Sequence, residues 1–305
     1  MTVVSRILAI AGLLIVGWAV ITETGGVRYG HPAYAILLAV TALGSVFILW
    51  HNRHGGPHRG PFRFVAAIGL RVLMVGWLLA VWWLRPFSAE EPALTAMESD
   101  GQVTVTETAT QITMTPTGAA GDVDAVVFQP GAKVDARAYA AVLRPLAEAG
   151  HLVVIPKVPL GLAMLSPGSL DQAREAHPDV SGWIVGGHSL GGVVASAQAS
   201  IAKPAVDGLL LYASYPANDI SDLDARVLSI SGTRDGLSTP AQIQENKPKL
   251  PDDTTYLAIK GAVHSQFGDY GTQPGDGTPT ITDDEARSAI SKASVTFAER
   301  VGAAN

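Results

Sequence analysis

Ser181-Gly-Trp-Ile-Val-Gly-Gly187-His188-Ser189-Leu190-Gly191-Gly192-Val-Val-Ala-Ser-Ala197 carries an apolar, strand-like run through Gly-x-Ser-x-Gly into an Ala-rich helical segment. A sharp strand-to-helix turn of this kind holds its serine in a strained conformation at the end of a strand. Glycines at Gly187 and Gly191 let neighbouring backbone pass close to it. The motif alone also describes an ordinary helix start with Ser189 as N-cap. What surrounds it decides between the two.

Serine at its free pKa is a poor nucleophile and needs a base, itself oriented by an acid, in the chain order Ser, Asp or Glu, His. Downstream stand Ser231-Gly-Thr-Arg-Asp235-Gly-Leu and Gly261-Ala-Val-His264-Ser-Gln-Phe, each just after a strand-like run. Of the eight histidines, His264 is the only one C-terminal to Asp235. Asp235 also fits an Asp-Gly turn and His264 a surface loop, but the three residues in order at three strand ends point to a Ser189–His264–Asp235 triad. Asp219 is the fallback acid. Charge developing on an acyl oxygen needs preorganised N–H donors. The expected pair is Leu190 N–H and Ala132 N–H, the latter turned inward by Gly131 in the loop 129–133.

Outward from the motif, strand-like runs at 102–107, 111–116, 124–129, 151–156, 182–185, 208–213, 226–231 and 254–259 alternate with helical segments at 136–149 and 283–301. Such alternation predicts an α/β fold, a mostly parallel eight-stranded sheet with helices on both faces. Only 214–225 separate the sixth and seventh runs, too few for a large cap. An open site is expected, with Leu160, Leu162, Met164, Leu165 and Tyr215 as a shallow acyl-side wall. The loop 267–277, with Asp269 and Asp276, reads as structural rather than as a cation site, because calcium wants about six or more oxygen ligands.

The N-terminal third is different in kind. Of 305 residues, 48% are hydrophobic and 16% charged, and the apolar ones crowd before residue 86 in three runs, expected as spans at about 3–22, 33–50 and 64–84. Each is close to the roughly 20 residues a helix needs to cross a bilayer. The first lacks a convincing cleavage site and reads as an uncleaved anchor rather than a signal peptide. Arg53, Arg59 and Arg63 in the second connection predict that it and the N-terminus are cytoplasmic and that everything after Arg85 lies outside. Trp18, Trp50, Trp82 and Trp83 stand near the run ends, as an aromatic belt would. Arg71 lies roughly 12 Å into its run at 1.5 Å per residue, within reach of the headgroups by snorkelling. The loop from His51 to His58 holds three histidines without a carboxylate or thiol and reads as a basic turn, not a metal site. The domains expected are therefore 1–85 in the membrane, 86–101 as a tether and 102–305 as the α/β domain.

Composition narrows the rest. Zero cysteines exclude thiol nucleophiles and cysteine-ligated metals. The net charge of −6 splits into +2 over residues 1–100 and −8 beyond, so nucleic acid is not an expected partner.

The region from about 105 to 301 resembles an α/β-hydrolase, specifically the compact alpha/beta hydrolase fold-5 group. The resemblance rests on Phe128-Gln-Pro-Gly-Ala-Lys-Val-Asp-Ala-Arg-Ala-Tyr139, the Gly187–Gly191 motif, 231–236, and Gly261-Ala-Val-His-Ser-Gln-Phe-Gly-Asp-Tyr-Gly-Thr-Gln-Pro-Gly-Asp-Gly277. It implies hydrolysis of an ester or similar acyl bond without a cofactor or metal. The substrate would be a small-molecule or lipid-like acyl compound and the bilayer the other partner. The same triad would also serve an acyltransferase, and the fold hosts catalytically silent binding or scaffold proteins.

Overall fold

The computed structural model describes residues 2–54, 61–118 and 124–303. The middle of the loop carrying His51–His58, Arg59 included, lies outside the described residues. Three long apolar helices come first, α1 (Thr2–Thr22), α3 (Pro32–His54) and α4 (Pro61–Trp83), with one short helix, α2 (Thr24–Tyr29), between the first two. By length and composition Val3–Thr22, Pro32–His51 and Phe64–Trp83 are each able to cross a membrane. α1 packs on both α3 and α4. Gly12 lets α1 approach α3 at Ser45, and Trp77 Nε1 donates to Thr41 Oγ1 at 2.9 Å between α4 and α3. The Arg71 guanidinium reaches back to the Ala67 carbonyl, toward the N-terminal end of its helix.

The second region is an eight-stranded sheet in the order β1-β2-β4-β3-β5-β6-β7-β8. The strands are β1 (Val103–Glu107), β2 (Gln111–Pro116), β3 (Ala125–Gln129), β4 (Val153–Pro156), β5 (Trp183–His188), β6 (Gly208–Tyr212), β7 (Arg226–Gly232) and β8 (Thr255–Ile259). β1 and β2 join antiparallel, and β2 joins β4 antiparallel. All remaining pairs are parallel. Period-two alternation divides the core: Val126 and Phe128 face one side, Ala125 and Val127 the other. α5 (Ala140–Glu148) and α9 (Asp283–Gly302) cover the first face. α6 (Ser169–Ala176) and α7 (Leu190–Ile201) cover the second, and α8 (Pro240–Asn246) follows β7. The predicted helix 136–149 begins as a 3-10 turn, Ala136–Tyr139, before α5. Since β3 to β8 run parallel, the loops that leave their C-terminal ends gather at one edge, where sites of such sheets are built.

The stretch 86–101, expected as a short tether, packs on the α/β domain. Ala89 and Ala93 are buried in the domain core, and Arg144 donates to the carbonyls of Ala96 and Glu98. Small apolar residues spaced among the acids give it a face to bury. It also ties the two regions together. Arg85 pairs with Glu23 at 2.7 Å, Ser88 Oγ donates to Glu23 Oε2 at 2.6 Å, and Phe87 exchanges backbone hydrogen bonds with Lys133 and Asp135.

Candidate active site

Ser189 follows β5 directly, at φ 51° and ψ −123°. Such backbone costs a non-glycine residue on the order of 1–3 kcal/mol and persists only when its surroundings enforce it. Here they do. Ser189 N donates to the Tyr212 carbonyl at 3.0 Å, and the Ser189 carbonyl accepts from Ser214 Oγ at 2.7 Å and from Gly192 N at 3.0 Å. A Cβ on Gly191 would strike the carbonyls of Gln129 and Pro130, and one on Gly187 would strike the Gly191 backbone. The N-cap alternative weakens accordingly, since the Ser189 side chain makes no capping hydrogen bond.

Asp235 and His264 sit on the loops after β7 and β8, both buried. His264 Nδ1 meets Asp235 Oδ2 at 2.9 Å. The other carboxylate oxygen, Oδ1, accepts from Leu237 N at 2.8 Å and Ser238 N at 2.7 Å, which fixes the carboxylate plane. Asp219, the fallback acid, is exposed and accepts from Ser221 N in its own loop. The third candidate stands apart from the pair in one respect: no hydrogen bond joins Ser189 Oγ to His264 Nε2. That nitrogen is buried and without a partner among the described residues. The His264 ring lies 4.5 Å from the ring of His188, the residue before the serine. Hydrogen bonds of this kind are commonly long in a free enzyme and tighten around substrate.

Among the described residues, the N–H groups of Leu190 and Ala132 at this edge have no acceptor. Leu190 N–H is the first of α7 and has no carbonyl within the helix to reach. Ala132 N–H donates to nothing among the described residues. Around it, Lys133 N–H goes to the Gly161 carbonyl at 2.6 Å and Gly131 N–H to Tyr139 Oη at 2.8 Å. The left-handed residue of this loop is Lys133, at φ 64°, not Gly131. Gly131 is required for space, because a Cβ would come within 2.7 Å of His188 Nδ1 and 3.0 Å of Tyr139 Oη.

Three further residues shape the site, and two of them, Tyr139 and His188, were not singled out by the sequence. Tyr139 Oη meets His188 Nδ1 at 2.9 Å while accepting from Gly131. Burial pushes the Tyr139 phenol up, partly offset by the Gly131 N–H, so the phenol keeps its proton. The Tyr139 phenol and the neutral His188 Nδ1 share one hydrogen bond whose donor is set by the imidazole tautomer. Burial first, and the neighbouring His264 second, hold His188 well below the usual histidine value. Asp276 is the third. Its Oδ1 accepts from Gly236 N at 3.1 Å, His264 N at 3.1 Å and Gly277 N at 2.7 Å, and its Oδ2 from Ser265 N at 2.8 Å. One carboxylate thus clamps the acid loop to the histidine loop. Partial burial raises its pKa, but these four backbone hydrogen bonds outweigh that and hold it below the usual value. In the sequence it stands in the loop 267–277, which reads as structural rather than as a cation site. Among the described residues no three His, Asp or Glu gather as a metal site would need.

Residues 125–288 match the model of the alpha/beta hydrolase family. No curated protein matches the chain. Among solved structures, a CIB-like hydrolase from Thermoplasma acidophilum aligns with TM-score 0.50 and 13% identity, over 64% of this chain and 99% of that one. A thermophilic esterase from Thermogutta terrifontis with propionate bound aligns with TM-score 0.47 and 13% identity, over 66% and 94%. A monoacylglycerol lipase from Paleococcus ferrophilus aligns with TM-score 0.46 and 16% identity, over 56% and 94%. At such identities the likeness is one of fold.

Proposed function

The chain belongs to the alpha/beta hydrolase family, and from that premise we propose that it is a membrane-anchored serine hydrolase that cleaves an ester or similar acyl bond. The observation that carries the reading is the buried Asp235–His264 pair at 2.9 Å, at the same sheet edge as the strained Ser189 turn. In this reading Ser189 Oγ attacks the acyl carbonyl and His264 Nε2 takes its proton. Asp235 holds the imidazole in the Nδ1–H tautomer and stabilises the imidazolium. Leu190 and Ala132 N–H receive the oxyanion. The proton then passes to the leaving alcohol, and water releases the acid by the same steps in reverse. This chemistry draws on no cofactor. Helices α1, α3 and α4 anchor the chain, with the N-terminus cytoplasmic and the hydrolase domain outside, as the arginines of the second connection indicate.

The test uses the full chain in detergent micelles, with a fluorophosphonate probe and short p-nitrophenyl esters. Labelling and turnover that vanish in Ser189→Ala, with turnover lost in His264→Ala, are expected. A folded wild-type chain that neither labels nor hydrolyses would sink the reading and leave a silent binding protein.

A further inference from the structure

Two loops of the candidate site touch the membrane helices. Lys133 is one residue from the Ala132 N–H, about 3.8 Å between Cα atoms. Its Nζ donates to the Trp83 carbonyl at 3.0 Å, at the last residue of α4, and lies 4.7 Å from the centroid of the Trp83 ring. Leu160, on the loop after β4, packs among Ala19, Tyr34, Leu38 and Val81, contributed by α1, α3 and α4. Lys133 N–H to the Gly161 carbonyl joins the two loops. Both leave C-terminal strand ends, so the sheet edge that holds Ser189, Asp235 and His264 is turned toward the ends of the three apolar helices, not away from them.

The loop after β4 then runs on from Leu160 to Met164 and Leu165, which are 54% and 49% exposed and lie in a short turn packed against α7, the helix that begins at Leu190. Few large apolar side chains of the α/β domain are this exposed, and these two carry the apolar surface on from Leu160 at the helix ends to the flank of α7. Apolar surface on a site-edge loop that is packed against the ends of apolar helices suits an acyl chain that is already in the bilayer, with its ester at the headgroup boundary. We propose that the substrate is an amphiphilic acyl ester resident in the outer leaflet, of the glycerolipid kind, entering along Leu160, Met164 and Leu165. The proposal rests on the hydrolase and anchor readings above and adds the substrate class and its route.

Two measurements on the full chain test it. The first compares p-nitrophenyl palmitate carried in phosphatidylcholine vesicles that contain the protein with water-soluble p-nitrophenyl acetate. Turnover of the palmitate follows its mole fraction in the vesicle, and Met164→Ser/Leu165→Ser lowers the palmitate-to-acetate rate ratio about tenfold, as loss of two apolar contacts would. A ratio that does not move, or a rate set by bulk concentration, overturns the proposal. Absence of turnover on both esters and of fluorophosphonate labelling would instead remove the hydrolase reading beneath it. The second needs no activity. Because the chain has no cysteine, Met164→Cys carries a single nitroxide, as does Ile201→Cys at the 77% exposed far end of α7. The label at 164 is expected to be oxygen-accessible and shielded from a water-soluble nickel chelate, and the one at 201 the opposite. Equal exposure of both labels to the chelate means that water covers the path, and overturns the proposal whatever the enzyme hydrolyses.

Discussion

Asp276→Asn tests whether the acid and histidine loops are held together by a single carboxylate. In the wild-type protein its two oxygens take four backbone N–H groups, from Gly236, His264, Gly277 and Ser265. Asparagine keeps one carbonyl oxygen, which serves the first three without charge. Its NH2 then opposes the Ser265 N–H, leaving one donor unsatisfied at a cost of about 1–3 kcal/mol. Losing the charge from three half-exposed hydrogen bonds adds roughly 1 kcal/mol in all once water is allowed to compete. The expected loss is about 2–4 kcal/mol by urea unfolding of the full chain in micelles at pH 7. The pH dependence has a definite sign. The folded pKa of Asp276 is depressed, so its stabilisation is complete above the ordinary carboxyl value, near 3.9, and fades as the pH falls through the lower, folded value. Wild type and variant therefore converge in acid. In the hydrolase reading kcat falls about 10- to 100-fold with KM little changed, because the Asp235–His264 pair loses its registration rather than its chemistry. A variant within about 0.5 kcal/mol of wild type at pH 7, or a gap that persists undiminished to pH 2, would refute the clamp.

Asp235→Asn is expected to cut kcat on the order of 10³- to 10⁴-fold by spoiling the histidine tautomer, while Asp219→Asn leaves ester hydrolysis unchanged; equal losses would reinstate Asp219 as the acid. Tyr139→Phe orphans the Gly131 N–H and His188 Nδ1 together and should cost about 2 kcal/mol in urea unfolding, with Ser189 labelling slowed as the Ala132 loop loosens. His188 refuses a proton when folded that the unfolded chain accepts near pH 6.5, so stability should fall by up to about 1.4 kcal/mol per pH unit below that value. His188→Asn should shallow this acid slope relative to wild type, and identical slopes would count against a buried neutral His188.

The strand-turn-helix at Ser189, the order Ser, Asp, His and the alternation of strands and helices were all legible in the chain. They are local: each depends on period, on glycine at a turn, or on position at a strand end, and residue types carry that information directly. So were the three apolar helices, because crossing length is a property of a run. Tyr139, His188 and Asp276 were not legible in that way. A tyrosine in an apolar stretch reads as core, the x of Gly-x-Ser-x-Gly reads as filler, and an aspartate among glycines reads as a turn. Only the folded sheet sets Tyr139 Oη between Gly131 and His188, and only there does Asp276 meet a loop 40 residues away. The packing of segment 86–101 was hidden for the same reason: its acids are visible in sequence, while the burial of Ala89 and Ala93 depends on a surface built from distant residues. The direction in which the site faces belongs wholly to tertiary structure. Composition separates a part of long apolar helices from an α/β part, but the contacts of Lys133 with Trp83 and of Leu160 with three helices arise from packing between segments remote in sequence, and no periodicity within either segment encodes them.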